Sequence, residues 1–94
     1  MLLYGLELWV LGLLVDDYQS IDSLRRQAGR RETLIVDVLL TLHRNGMIKP
    51  YRFEAVSRTY QPVADDAQID PLTLWFTATD KGRDAYDDSW RAPW

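Results

Sequence analysis

The segment from Ser20 to Ile48, SIDSLRRQAGRRETLIVDVLLTLHRNGMI, leaves this chain few ways to fold. It holds two apolar patterns of helical period on either side of a single glycine. In the first, Ile21, Leu24 and Ala28 share one face of a short helix that Ser20 or Asp22 can cap. Gly29 supplies the turn, because it enters a left-handed backbone conformation without steric cost. The second pattern runs from near Arg31 to Arg44 and stops at Asn45-Gly46. Ile35, Val38, Leu39 and Leu42 form its inner side. Two helices held by a glycine turn must bury both apolar faces against the rest of the chain.

That remainder supplies a helix before the pair and strands after it. Residues 1–15, MLLYGLELWVLGLLV, are apolar apart from the charge of Glu7. They lack the basic start and small-residue cleavage site of a signal peptide. They also stop at Asp16-Asp17, short of the roughly 20 residues of a membrane span. The segment therefore predicts a helix buried almost all round, and covering its second face calls for another subunit. Asp16-Asp17-Tyr18 then ends this helix and turns the chain. Beyond Gly46, Met47 to Ser57 and Leu72 to Thr77 read as strands, with Leu72, Leu74 and Phe76 on one side. Pro50 suggests a strand start or an edge position. Arg58 to Pro71 reads as a long, mobile hairpin tip. A last helix, from about Asp80 to Trp90 and capped by Thr79 or Asp80, offers Ala85, Tyr86, Ser89 and Trp90 as a docking face.

Ninety-four residues, 47% of them hydrophobic, make one domain spanning 1–94. The absence of cysteine excludes disulfides and thiolate metal sites and suits a reducing compartment, so a cytoplasmic location is expected. The net charge of -3 argues against a generally basic nucleic-acid binder. The distribution argues differently. Residues 21–60 carry eight basic and four acidic side chains, a local +4, between flanks of -3 and -4. Local charge decides whether a face can meet phosphate.

Two helices joined by a glycine-bearing turn are a helix-turn-helix signature. The wider order of helix, helix-turn-helix, two-stranded wing and closing helix resembles a winged-helix domain. Leu42-His-Arg-Asn-Gly-Met-Ile48 resembles the family's Leu-x-x-x-Gly-Leu-Ile passage into the first wing strand. Phe76-Thr-Ala-Thr-Asp-Lys-Gly-Arg-Asp-Ala85 resembles the Tyr-x-Leu-Thr-x-x-Gly-Arg-x-Ala run of PadR-like and MarR-like transcription regulators. The opening LELWVLGLLVDDY is similar to the first helix of PadR-like proteins. The resemblance implies a mainly α, α+β winged helix-turn-helix: a three-helix core, a two-stranded wing and a C-terminal helix. It further implies a dimeric, DNA-binding regulator with its second motif helix in the major groove.

On that reading Arg25, Arg26, Arg30, Arg31 and Arg44 contact phosphates or bases, Thr33 and Thr41 sit on the recognition helix, and Arg52 and Arg58 lie on the wing. The bland reading of the arginines is solubility and pairing with Asp22 or Glu32. Leu3, Leu6, Leu8, Trp9 and Leu13, with Trp90 and Trp94, are the expected homodimer surface; the competing picture is a monomer that docks this surface on a different protein. A second function class stays open. The outward face of the recognition helix, Leu34, Val36, Asp37, Leu40, Thr41 and Arg44, is mostly apolar and carries a carboxylate. The expected wing tip holds Asp65, Asp66 and Asp70. Leu34, Val36 and Leu40 with an acidic wing would suit a protein-interaction module that does not bind DNA.

No enzyme chemistry emerges. His43, expected on the solvated side of its helix, is the only histidine, and the serines lie outside any nucleophile elbow. The glycines form no phosphate cradle. Asp65-Asp66 and Asp87-Asp88 read as solvated surface rather than a Mg²⁺ site. No cofactor and no membrane partner are expected.

Overall fold

The computed structural model describes residues 5–29, 31–63 and 71–91, without the side chains of Pro71, Trp90 and Arg91. Within them lie four helices and a four-stranded antiparallel sheet, an α+β arrangement. Helix α1 spans Gly5–Asp16, a short strand β1 Gln19–Ser20, α2 Ile21–Ala28 and α3 Glu32–Arg44. Strands β2 (Ile48–Glu54) and β3 (Thr59–Pro62) follow. A 3₁₀ turn at Pro71–Thr73 leads to β4 (Trp75–Ala78) and then to α4 (Asp80–Arg91). No helix among the described residues is long and apolar enough to cross a membrane.

The helix pair forms where its local signals place it. Ser20 is the N-cap of α2, its side chain accepting from the Ser23 N–H at 3.2 Å. Gly29 closes α2 at φ 63°, donating its N–H to the Arg25 carbonyl at 3.0 Å. Asn45 and Gly46, the latter at φ 73°, end α3. Ile35, Val38, Leu39 and Leu42 are buried, against Leu24 and Ile21 of α2 and Val10, Leu11 and Leu14 of α1 in one core. His43 is half-buried rather than solvated.

The sheet departs from a simple hairpin. Strand order is β1-β4-β2-β3, so β2 is interior, although Pro50 suggested an edge. The Pro50 carbonyl faces β3 and accepts from the Val63 N–H at 3.2 Å. The proline nitrogen faces the same side, so its missing N–H costs only the return bond to Val63 at the end of the β2–β3 pairing and leaves the pairing with β4 intact. Leu72 does not join the strand. Proline opens a 3₁₀ turn there, and Leu72 is left 58% exposed while Leu74 and Phe76 enter the core.

The expected loop from Arg58 to Pro71 is in part strand: Thr59–Pro62 pairs with Tyr51–Glu54 across a turn at 55–58. Aromatic contacts hold it. Tyr60 stacks on Tyr18 with centroids 3.9 Å apart and planes 2° apart. It also meets Phe53 at 5.2 Å and Trp75 at 5.6 Å. Residues 64–70, including Asp65, Asp66 and Asp70, lie outside the described residues.

The junction between α3 and β2 is locked to the start of α4. Thr79 donates its N–H to the Met47 carbonyl at 3.0 Å and its hydroxyl to the Gly46 carbonyl at 2.6 Å. The same hydroxyl accepts from the Gly82 N–H at 3.1 Å, which caps α4. Gly82 packs against the Met47 carbonyl so closely that a Cβ there would overlap its oxygen. The Thr-Asp-Lys-Gly-Arg run is thus a backbone latch.

Candidate nucleic-acid interface

The helix pair and the β2–β3 hairpin carry the exposed arginines. On α2, Arg25 and Arg26 sit in the last turn, where cations meet the negative end of the helix dipole. Both reach back to Asp22, at 2.9 Å and 3.1 Å. These are the ion pairs among the described residues, and at 47–72% side-chain exposure they stay open to solvent and competition.

Arg31 is the N-cap of α3. Its backbone is extended, its carbonyl accepts from the Leu34 and Ile35 N–H groups, and its side chain makes no cap bond. The exposed guanidinium is therefore left at the positive end of α3, where an anion is favoured. Arg30 lies outside the described residues. Arg44 is exposed at the other end of the helix. Arg52 is exposed opposite Gln61, and Arg58 is exposed in the turn at 55–58 with φ 56°.

The face of α3 opposite the core is set by helical geometry. With Ile35, Val38, Leu39 and Leu42 buried, Thr33, Asp37, Leu40 and Arg44 point the other way at spacings of four, three and four. Thr33, Asp37 and Arg44 are exposed, and Leu40 and Thr41 are half-buried. The apolar outer patch is smaller than the sequence suggests. Val36 is half-buried and packs on the core, leaving Leu34, 45% exposed, as its open member.

The expected subunit surface divides. On α1, Val10, Leu11 and Leu14 face the core, while Leu8, Trp9 and Leu13 line a groove of about 360 Å³ with Gly5, Gly12 and Tyr86. Trp9 is 43% exposed, and Leu6 packs partly on the core. Gly12 is where α1 meets α4: a Cβ there would lie 2.8 Å from the Tyr86 ring. Leu3 and Trp94, like the side chain of Trp90, lie outside what is described.

Two features escape the sequence reading. One is the aromatic face formed by Tyr18, Tyr51, Phe53, Tyr60 and Trp75. The alternation of Tyr51 and Phe53 in β2 was its available signal. The other is a cleft of about 440 Å³ whose lining includes Asp16, Tyr18, Lys49, Tyr51, Asp80 and Arg83. Its residues come from separate elements, so no local pattern announces it. Among the described residues no group of His, Cys, Asp and Glu comes together to hold a metal ion. No protein-family model matches the chain, and neither a curated protein nor a solved structure matches it.

Proposed function

We propose that this chain is a winged helix-turn-helix domain that binds double-stranded DNA as a homodimer and regulates transcription. The carrying observation is that Arg25, Arg26, Arg31, Arg44, Arg52 and Arg58 are all exposed on the helix pair and the β2–β3 hairpin. Four of them make no ion pair within the described residues. The order of elements supports the fold reading: α2, a tight turn and α3 precede the paired β2 and β4, with β1 added beside β4. On this reading β2 and β4 are the wing, and β3 is an extra strand carried by the connection between them.

Helix α3 enters the major groove, Arg31 and the α2 arginines meet phosphates, and Arg52 and Arg58 flank the backbone. A second copy covers the α1 groove. Trp9, 43% exposed, lines that groove with Gly5 and Gly12, so the apolar surface left open on α1 is one that a second copy can cover by the same residues. Sedimentation at tens of micromolar should give twice the 11.0 kDa chain mass, and Trp9→Asp, at that exposed position, should return it to monomer with its helicity intact.

The DNA reading is tested by a salt series on mixed double-stranded fragments. Affinity should fall linearly in log salt, and Arg30→Ala with Arg31→Ala should lower the slope by about 2. The second reading, a protein-interaction module, rests on exposed Leu34. Absence of DNA binding at low salt, together with loss of a partner protein on Leu34→Asp, would replace the first reading with the second.

A further inference from the structure

We infer that Asp37 is the base-selecting residue of this domain, and that it selects cytosine in the major groove. The inference rests on the DNA-binding reading and assigns its specificity. Asp37 is exposed on the face of α3 directly away from the buried Ile35, Val38, Leu39 and Leu42. It follows exposed Thr33 by one helical turn and lies in the first half of the helix. That half reaches base edges when such a helix docks. The positions three and four residues away are Thr33, Leu34, Leu40 and Thr41, so no cation on its own helix can neutralise it. The ion pairs of the described residues are both at Asp22.

An ionised carboxylate only accepts hydrogen bonds. In solution water supplies the donors. Docking strips that water, and the carboxylate then needs donors from DNA or it opposes binding. The major groove offers donors in two places, the N4 amine of cytosine and the N6 amine of adenine. Guanine O6 and N7 and thymine O4 are acceptors and repel it. Adenine sets its own N7 acceptor beside the amine, whereas cytosine presents the amine without an acceptor on its major-groove edge. Cytosine is therefore the best partner, and the same charge rejects guanine. The carboxylate that looks misplaced against phosphate is matched to a base edge.

Random-sequence selection on duplex DNA at low salt, run with wild type, Asp37→Ala and Asp37→Asn, tests the assignment. The wild type should select cytosine at one fixed position, each other base there costing about tenfold in affinity. Asp37→Ala should lose preference at that position alone and bind mixed DNA at least as tightly. Asp37→Asn should shift the preference to adenine, whose N6 and N7 an amide can pair together. Because Asp37 is exposed, both variants should keep the wild-type circular dichroism spectrum. An unchanged base profile in Asp37→Ala overturns the assignment, as does DNA binding by the wild type without base preference, though that result leaves the DNA reading standing. A wild type that binds no fragment overturns both.

Discussion

Gly82→Ala separates helix propensity from tertiary contact. Gly82 lies in the first turn of α4, where alanine would normally gain about 1 kcal/mol over glycine in a helix. Here the added Cβ would overlap the Met47 carbonyl oxygen and lie 2.9 Å from its carbonyl carbon. Both obstacles are backbone atoms, so no rotamer change relieves them. The helix start must move away from the α3–β2 junction. Overpacking of this kind costs about 1–3 kcal/mol. Movement also weakens the bonds from Thr79 to the Met47 and Gly46 carbonyls, at 3.0 Å and 2.6 Å. Each contributes about 1 kcal/mol. After subtracting the propensity gain, the net destabilisation is about 3 kcal/mol. For a domain of this size that lowers the melting temperature by roughly 15 °C. Thermal and urea unfolding followed by circular dichroism measure it. A variant as stable as wild type, or more stable, would show that α4 is not latched through Gly82.

The aromatic face and the Asp22 pairs yield further expectations. Tyr60→Ala removes the ring that stacks on Tyr18 and meets Phe53 and Trp75. As this ring is half-buried, the loss should be about 2 kcal/mol in urea unfolding, with a weakened near-ultraviolet signal; an unchanged midpoint would mean β3 is held by its ladder alone. Asp22→Asn frees Arg25 and Arg26 from their exposed pairs, so stability should change by under about 1 kcal/mol. If these arginines meet phosphate, the same variant should bind DNA about tenfold more tightly at low salt, and equal affinity would remove them from the interface.

Local chemistry alone determined the helix pair. The Ser20 cap, the left-handed Gly29 and the Asn45-Gly46 stop depend on neighbours within a few residues, and the apolar period of α3 marks which of its positions face the core. Such signals are written where they act. The exposed arginines were legible for the same reason, since charge and helical phase fix which residues stay in water. The sheet was decided elsewhere. Strand β1 is only Gln19–Ser20, and it exists because Trp75 and Phe76 lie beside it. Strand β3 requires Tyr60 to meet Tyr18, more than forty residues earlier in the chain. Leu72 matched the alternating pattern yet stayed outside, because backbone geometry after Pro71 ended the strand's reach. Pro50 is tolerated in an interior strand because its nitrogen faces the last position of the β2–β3 pairing and not β4. Thr79 and Gly82 carried a recognisable motif, but its purpose is a carbonyl more than thirty residues away. A helix hydrogen-bonds within its own segment, whereas a strand satisfies its backbone through a partner that only the folded chain brings alongside.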